Sequence, residues 1–217
     1  MKLLQIIKNK NLNGMKNLNA NTRRTRGYFS RFLALIVVLS MNAFTQKAQG
    51  QTSYKVMAGS QIKVSGTSNL HDWSTLANSF ACDGNFIVKG GQMQNVSSLN
   101  FILPVTNLKS EWSLMDTRTY KALNAEQFKT ITFKLTQATV VPQQKIIKAI
   151  GNLTIGGVTN EIAIQTAYVL NADETITCKG TKPIKMSDFK IKAPSFMFGA
   201  LKTGNEVIID ILLKLKK

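Results

Sequence analysis

The chain has 217 residues, a formal net charge of +17 and two cysteines. Nine of its 28 basic residues and none of its 11 acidic residues lie within 1–50, which leaves 19 basic against 11 acidic residues, a net charge of +8, for residues 51–217. These remaining lysines are scattered singly rather than clustered beside aromatic residues, which argues against a nucleic-acid-binding protein. A positive charge of this size is compatible with weak contact with an anionic membrane surface, although charge alone is weak evidence for it.

Residues 1–50 have the organisation of a secretory signal peptide. A basic segment without acidic residues precedes an apolar run at 32–39, and small residues occupy positions 48 and 50. The run is too short for a transmembrane helix, and the small residues match the pattern that signal peptidase reads. We therefore expect cleavage after Gly50 and export to the periplasm or the medium. Met1 and Met15 are both candidate start residues.

Residues 51–217 form one expected domain, long enough to bury a real core. Apolar and polar residues alternate in segment after segment, as in half-buried strands. Paired glycines at 90–91 and 156–157 predict turns between strands. The pattern breaks over 108–123, which predicts a loop and a short helix with Asp116 as its N-cap. Strands are predicted over about 53–66 (broken near 58–60), 73–88, 99–105, 131–135, 147–155, 162–170, 174–187 and 207–215.

The number and spacing of these strands predict the fold class. Eight strands joined mainly by short turns favour an all-β fold, an eight-stranded antiparallel up-and-down (lipocalin-like) barrel with one short helical excursion. A β-sandwich is the structural alternative. The interior of an eight-stranded barrel is just wide enough to be filled by side chains or to hold one small ligand.

Residues 66–73 (GTSNLHDW) contain the single histidine of the chain, His71, among turn-forming residues. Neighbouring side chains in a strand point to opposite faces, so His71 and Asp72 would not easily meet there. We interpret this segment as a structural corner. His71 with Asp72 or Asp116 is the best acid–base pair, and Cys82 the alternative nucleophile, but neither belongs to a complete catalytic set. We therefore predict no enzyme activity, no catalytic residues and no metal site.

Cys82 and Cys178 both alternate with apolar neighbours, so both thiols are expected to point inward. After export the two cysteines would meet an oxidising compartment. A disulfide across the interior and two buried free thiols are both compatible with the sequence, because pairing depends on a geometry that the sequence does not contain.

A series of motifs resembles the YceI-like family as found in exported envelope proteins. The series begins with 66–73 and runs, in order, through 108–110 (LKS), 115–116 (MD), 120–123 (YKAL), 131–133 (ITF), 151–159 (GNLTIGGVT), 184–189 (IKMSDF) and 195–204 (SFMFGALKTG). Together these motifs span nearly all of residues 53–217. The resemblance implies a lipocalin-like barrel in the periplasm that holds a polyisoprenoid chain or an isoprenoid quinone.

Two functions are compatible with such a barrel. The first is an exported periplasmic lipid-binding protein that holds or carries a long apolar isoprenoid-type lipid in the barrel interior, since each buried methylene contributes about 0.8 kcal/mol. The alternative is a ligand-free structural or stress-related envelope protein whose barrel is filled by side chains. Apart from a bound isoprenoid lipid or quinone, no cofactor is expected, and the pattern implies no particular oligomeric state.

The apolar faces of the strands and the helical segment supply the predicted ligand-binding residues. Two small residues, Ala149 and Gly151, are expected to leave room for a ligand, whereas Thr132, Gln165 and Asp210 are expected to face solvent. The residues predicted to form the barrel interior and mouth are Phe101, Leu103, Trp112, Met115, Tyr120, Phe133, Ala149, Ile164, Tyr168, Phe196, Phe198 and Ile209.

Overall fold

A computed structural model describes residues 51–217, apart from the side chains of residues 196 and 197. The predicted signal peptide, its cleavage site and both candidate start residues lie outside this range. One α-helix, α1, spans Ser113–Ala122 of the described chain, and 3-10 turns cover Val105–Asn107, Pro142–Gln144, Met186–Phe189 and Met197–Gly199. The strands are β1 (Thr52–Val56), β2 (Gln61–Ser68), β3 (Trp73–Ala77), β4 (Ala81–Lys89), β5 (Gln92–Pro104), β6 (Thr130–Val141), β7 (Ile146–Ile155), β8 (Val158–Leu170), β9 (Ile176–Lys185), β10 (Ser195–Phe196) and β11 (Leu201–Lys216).

The strands form one antiparallel sheet that closes on itself. From β4 to β9 each strand pairs with the next, and β9 pairs with β11. β1 completes the ring, because it pairs with β4 on one edge and with the end of β11 on the other. β2 follows the same edge of β11 and pairs with β3. β1 and β2 therefore share one position in the ring, and β3 and β4 share the next. Together with β5, β6, β7, β8, β9 and β11 they give eight positions, which confirms the predicted eight-stranded antiparallel barrel.

The break predicted near residue 59 separates β1 from β2. Ser60 is buried there, and its Oγ lies 2.9 Å from Met57 O and 3.1 Å from Lys214 O. The same oxygen accepts a hydrogen bond of 2.9 Å from Lys214 N. The hydroxyl thus satisfies backbone groups of β11 that a continuous strand would otherwise have paired. The first predicted strand is interrupted without losing its place beside β11.

Side chains alternate between the inside and the outside of the barrel, as the sequence pattern predicts. On β8, Ile162 and Ile164 are half-buried, whereas Gln165 is exposed. Thr132 and Asp210 are half-buried rather than fully exposed, since they lie between paired strands. The Asp210 carboxylate accepts a 2.8 Å hydrogen bond from the Thr181 hydroxyl of the neighbouring strand β9.

Large side chains fill one end of the barrel, which we call the closed end. The rings of Tyr54 and Phe86 meet edge to face, with their centroids 5.3 Å apart. Met93, Ile176 and Leu215 have no solvent exposure. Burial of this kind excludes water and ties β1, β4, β5, β9 and β11 together at one level. This part of the interior is filled by side chains.

The opposite end, which we call the mouth end, carries α1, the segment 186–204 and the turn between β7 and β8. That turn is the predicted hairpin at Gly156 and Gly157, whose φ angles are 55° and 80°. Ile155 pairs with Val158 across it, so the loop has two residues and requires left-handed backbone at both. The short hairpin brings β7 and β8 to the rim directly below the helical segment.

The helix begins earlier than the sequence predicted, and the assignment of Asp116 as its N-cap is wrong. Trp112 occupies the N-cap position without a side-chain cap, and Asp116 lies inside the first turns. The Asp116 carboxylate instead accepts hydrogen bonds from Ser110 N at 2.6 Å and from Ser110 Oγ at 2.7 Å. The carboxylate therefore fastens the helix to the preceding loop rather than capping it.

Candidate functional site

A cavity of about 550 Å³ occupies the barrel between the closed end and α1. Its wall consists almost wholly of aliphatic and aromatic side chains from the strands, together with residues of α1. Three exposed residues, His71, Trp112 and Leu114, also belong to this wall, so the cavity reaches the surface at the mouth end. Ligand pockets commonly measure about 300–1,000 Å³, and an apolar cavity of about 150 Å³ already holds benzene. The cavity is therefore large enough for an extended apolar molecule.

Eight of the residues predicted to form the interior and mouth lie on the wall of this cavity. Phe133, Ile164 and Ile209 come from three separate strands and face the same space, as their shared faces predicted. Trp112 and Met115 lie where α1 covers the opening. The eight are Phe101, Leu103, Trp112, Met115, Phe133, Ala149, Ile164 and Ile209. Their contact with a ligand stays a prediction.

The other four predicted residues lie elsewhere. Tyr168 is buried among the side chains of the closed end, where burial raises the pKa of its phenol. Tyr120 does not line the cavity, and its hydroxyl lies 2.9 Å from both Thr106 O and Leu108 O. Phe198 is fully exposed on the 186–204 segment. The side chain of Phe196 lies outside the described part of the structure.

The small side chain of Ala149 leaves space in the cavity, whereas Gly151 leaves none. A Cβ atom on Gly151 would lie 2.4 Å from Cζ of Phe133 and 2.6 Å from Lys134 O. The Phe133 ring therefore already covers the glycine, and the expectation that Gly151 leaves room for a ligand is wrong. Ala149 lies on the cavity wall opposite Ile164 of β8. A larger side chain at position 149 would extend into the open space.

The segment 66–73 forms a tight corner at the rim. Ser68 Oγ accepts hydrogen bonds from Leu70 N and His71 N, at 3.2 and 3.1 Å. The side chain of Asn69 bonds to Ala200 O and Lys202 N, which fastens the corner to the start of β11. His71 and Asp72 are both exposed, and Nδ1 of His71 lies 2.8 Å from the backbone oxygen of Asp72 rather than from its carboxylate. These contacts are those of the structural corner that the sequence suggested.

Trp73 completes the corner from the inside. Its indole lies over Gly66, where a Cβ atom would be 2.3 Å from Cζ2 of the ring. The indole nitrogen donates a 3.2 Å hydrogen bond to Thr67 O, and the ring is half-buried on the cavity wall. The motif therefore shapes the rim: glycine at 66 is required by the close approach of the tryptophan.

Several polar residues on the wall were absent from the predicted set. Ser68, Arg118, Thr119 and Thr203 lie at the mouth end, while Thr166 and Lys182 lie on the inner faces of β8 and β9. The alternation of β9 contains the signal for Lys182, because Ile176, Cys178, Lys182 and Ile184 share one face. The residues predicted for the interior were chosen for their apolar character, so Lys182 was not among them.

The Asp116 carboxylate secures the helix that covers the mouth. Burial is the largest single influence on the pKa of Asp116 and would raise it, but the two hydrogen bonds from Ser110 and the charge of Lys109, 3.6 Å away, together outweigh burial. The pKa of Asp116 therefore lies below its usual value. A lowered pKa in the folded state means that the ionised carboxylate stabilises the fold above about pH 4, and that this stabilisation is lost as the pH falls through the lowered pKa.

We expect Asp116→Asn to lower the stability by about 1–2 kcal/mol at pH 7, because hydrogen bonds to a charged acceptor become bonds to a neutral one. The difference from the wild type should shrink as the pH falls below 4 and Asp116 itself becomes protonated. Denaturant unfolding of both proteins between pH 7 and pH 2.5 measures this. A difference that is independent of pH would show that the charge of Asp116 contributes nothing.

The two cysteines are free and buried in the described structure. Burial raises the pKa of Cys82 to about 12, with Asp83 and Cys178 adding to the effect, and burial raises the pKa of Cys178 to about 12. The thiolate is the reactive form, so neither side chain has the character of a nucleophile at neutral pH. Of the two arrangements open from the sequence, the structure contains the buried free thiols.

Both thiols are expected to resist a disulfide reagent such as dithionitrobenzoate at pH 8, reacting at least about a hundredfold more slowly than in guanidinium chloride. In the native protein the reagent cannot reach the buried thiols, and their raised pKa leaves little of the reactive thiolate. The same protein in denaturant, without reductant, is the control and should release two equivalents. Rapid reaction of the native protein, or a lack of thiols after unfolding, would contradict the buried free-thiol state.

Two further features bear on the class of site. Within residues 51–217, no group of three or more histidine, cysteine or acidic side chains is placed to hold a metal ion. In the same part of the chain, no helix combines the length and the apolar character that crossing a membrane requires.

Comparisons with known proteins relate this architecture to one family. The model of the YceI-like domain matches residues 44–215. A comparison with curated proteins gives no significant match. Among solved structures, Burkholderia cenocepacia BcnA is 18% identical, with a TM-score of 0.58 over 70% of this chain and 95% of that chain.

Two further solved structures share the fold. The Campylobacter jejuni YCEI protein is 17% identical, with a TM-score of 0.51 over 63% of this chain and 81% of its own. A polyisoprenoid binding domain from Saccharophagus degradans, described as implicated in plant cell wall breakdown, is 12% identical, with a TM-score of 0.57 over 75% of this chain and 97% of its own. The TM-scores show a shared fold, and the match to the YceI-like domain covers most of the sequence. The chain belongs to the YceI-like family.

Proposed function

We propose that this protein is an exported lipid-binding protein that holds one long, isoprenoid-type apolar lipid in its barrel. The observation that carries the proposal is the 550 Å³ cavity with its almost wholly apolar wall. Burying apolar chain in such a space is favourable by about 0.8 kcal/mol for each methylene group, without any need for specific polar contacts. The description of the S. degradans neighbour as a polyisoprenoid binding domain supports this class of ligand.

A ligand-free structural barrel is the less well supported alternative. Side chains fill the closed end, as that alternative requires of the whole interior. The half of the barrel below α1 is open instead, and inner-face residues there such as Ile131, Leu135 and Ile164 keep partial exposure. Large apolar side chains left unburied inside a barrel gain stability when a ligand covers them.

The lipid would enter and leave at a membrane surface, with the mouth end of the barrel facing the bilayer. Leu70, Trp112, Leu114 and Phe198 have exposed fractions of 71%, 69%, 61% and 112%, and all four lie at the mouth end. Exposed apolar patches on a soluble protein mark interaction sites, and tryptophan favours the membrane interface. The positive charge of residues 51–217 complements anionic lipid headgroups.

Native mass spectrometry of the protein expressed with residues 1–50 and purified from the bacterial envelope tests the proposal. We expect a mature chain that begins at Gln51, together with a second species heavier by the mass of one lipid. Extraction with organic solvent should remove the extra mass and yield an isoprenoid in the organic phase. An unprocessed chain would contradict export, and a barrel that is empty before extraction would favour the structural alternative.

A further inference from the structure

Lys182 places a positive charge on the inner face of the barrel. On β9 the burial alternates so that residues 176, 178, 180, 182 and 184 face inward, while Lys179 and Lys185 are exposed. Lys182 pairs in register with Ile209 of β11, and both residues form part of the cavity wall. Lysine is one of the residue types least often found inside proteins unless it is paired. Lys182 is half-buried among the aliphatic side chains of the wall, where an anion in the cavity would act as its counter-charge.

The described part of the protein does not supply that counter-charge. No aspartate or glutamate belongs to the cavity wall within residues 51–217. In the same range the Lys182 ammonium takes part in no hydrogen bond or ion pair. The other strong cation of the wall is Arg118, on α1 above the cavity. The charge of the wall is thus positive, although its surface is mostly apolar.

A polar residue of the adjoining strand lines the same cavity as Lys182. Thr166 of β8 pairs with Gly180 of β9, two residues before Lys182 on the same face. That pair is the last one between β8 and β9 on this side, and Thr166 and Lys182 line the same cavity. Thr166 and Lys182 therefore combine a hydroxyl with an ammonium inside the barrel, below the ring of polar residues at the mouth.

We propose that the cavity selects lipids with an anionic head group, a carboxylate or a phosphate, which Lys182 binds inside the barrel with Thr166 beside it. The apolar tail then fills the remaining space. This inference rests on the proposed function, since it assumes that the cavity holds a lipid, and it narrows the ligand to an anionic amphiphile rather than a neutral lipid such as a quinone. In a site with few polar groups and little water, an ion pair is stronger than it is at an exposed surface.

Calorimetric titration of the delipidated protein with three probes of equal chain length tests the inference. The probes are dodecanoic acid, dodecyl phosphate and dodecan-1-ol. For the wild type, we expect at least one of the two anions to bind about tenfold to a hundredfold more tightly than the alcohol, the range expected for a hydrogen bond to a charged group. Comparison of the acid with the phosphate identifies which head group is preferred.

Variants at two lysines of β9 show whether Lys182 causes the preference for the anionic probes. Lys182→Met keeps an unbranched side chain without charge, and should remove the preference, so that this variant binds the anions no more tightly than the alcohol. Lys182→Arg should keep the preference. Lys179→Met, on the exposed face of β9, is the matched control and should behave as the wild type.

The possible failures are distinguishable. Equal affinity of the wild type for anions and alcohol, or a preference for the anion that survives in Lys182→Met, would overturn the role of Lys182 while leaving a lipid-binding cavity. Absence of binding for all three probes would overturn the proposed function and this inference together.

Discussion

Replacing Ala149 with phenylalanine is expected to remove the co-purifying lipid from the barrel while the protein stays folded. Ala149 lies on the cavity wall of β7, between Ala138 of β6 and Ile164 of β8 in register. A benzyl group there projects into the open space and occupies volume that a tail would need. The vacant cavity accepts the ring, so we expect thermal stability to change by less than about 1 kcal/mol, against about 1–3 kcal/mol for overpacking a filled core.

The matched control is Ala163→Phe on β8. Ala163 is exposed on the outer face, where the same ring meets solvent instead of the cavity. This variant should retain as much lipid as the wild type. Lipid retention is measured by native mass spectrometry and stability by thermal unfolding, on the same preparations. A destabilised Ala149→Phe, with no lipid in either the variant or the wild type, would refute the carrier and leave the structural barrel.

Removing two exposed apolar side chains from the mouth end is expected to weaken membrane contact. Leu70 and Phe198 are largely solvent-exposed and lie outside the cavity wall, so their replacement does not alter the space for a ligand. The double variant Leu70→Ser with Phe198→Ser should lower partitioning onto vesicles of phosphatidylglycerol and phosphatidylethanolamine by about tenfold or more. Each buried methylene contributes about 0.8 kcal/mol to such binding.

The control for this experiment removes apolar surface elsewhere on the barrel. Val169 and Ile208 are also exposed, at 50% and 43%, but they lie on the outer faces of β8 and β11. Val169→Ser with Ile208→Ser should leave vesicle co-sedimentation unchanged. Equal losses in the two double variants would indicate nonspecific apolar adsorption, and no loss in either would contradict docking through the mouth end.

The barrel was predictable because its strands carry a clear two-residue period. Inner-face residues such as Ile162 and Ile164 alternate with exposed ones, and the turn at Gly156 and Gly157 has the residues that a two-residue hairpin requires. Such local signals determine which face of a strand points inward. In an antiparallel meander with short connections, they also determine which strands are neighbours.

The position of a residue along the barrel axis, between the closed end and the mouth end, could not be predicted from this alternation. Tyr168 lies on the same face as Ile164, but it falls at the closed end, where it packs among buried side chains instead of lining the cavity. Its position depends on how far each strand is shifted relative to its neighbours. That shift follows from pairing along the whole ring, which the alternation of one strand does not contain.

Two other differences arise from contacts between side chains and backbone at a distance. The ring of Phe133 covers Gly151 on the adjoining strand, so a residue that looks small in the sequence leaves no space. Asp116 bonds to Ser110, six positions earlier, rather than capping its own helix. Lys182 was missed for a different reason. The alternation of β9 places this residue on the inner face, but a charged side chain was not expected there.

The closing seam of the sheet affects how the protein can fold. β11, the strand formed by residues 201–216, pairs with β9 on one edge and with β2 and β1 on the other, so it joins the first strands of the barrel to the later ones. The direct contact between β1 and β11 consists of only two pairs, Lys55 with Lys216 and Val56 with Leu215. A chain lacking these C-terminal residues would keep an unpaired strand edge, the feature that promotes association between partly folded molecules. The ring therefore cannot close before β11 has docked between β9 and the first strands, and its pairing is long-range in the sequence, which slows folding.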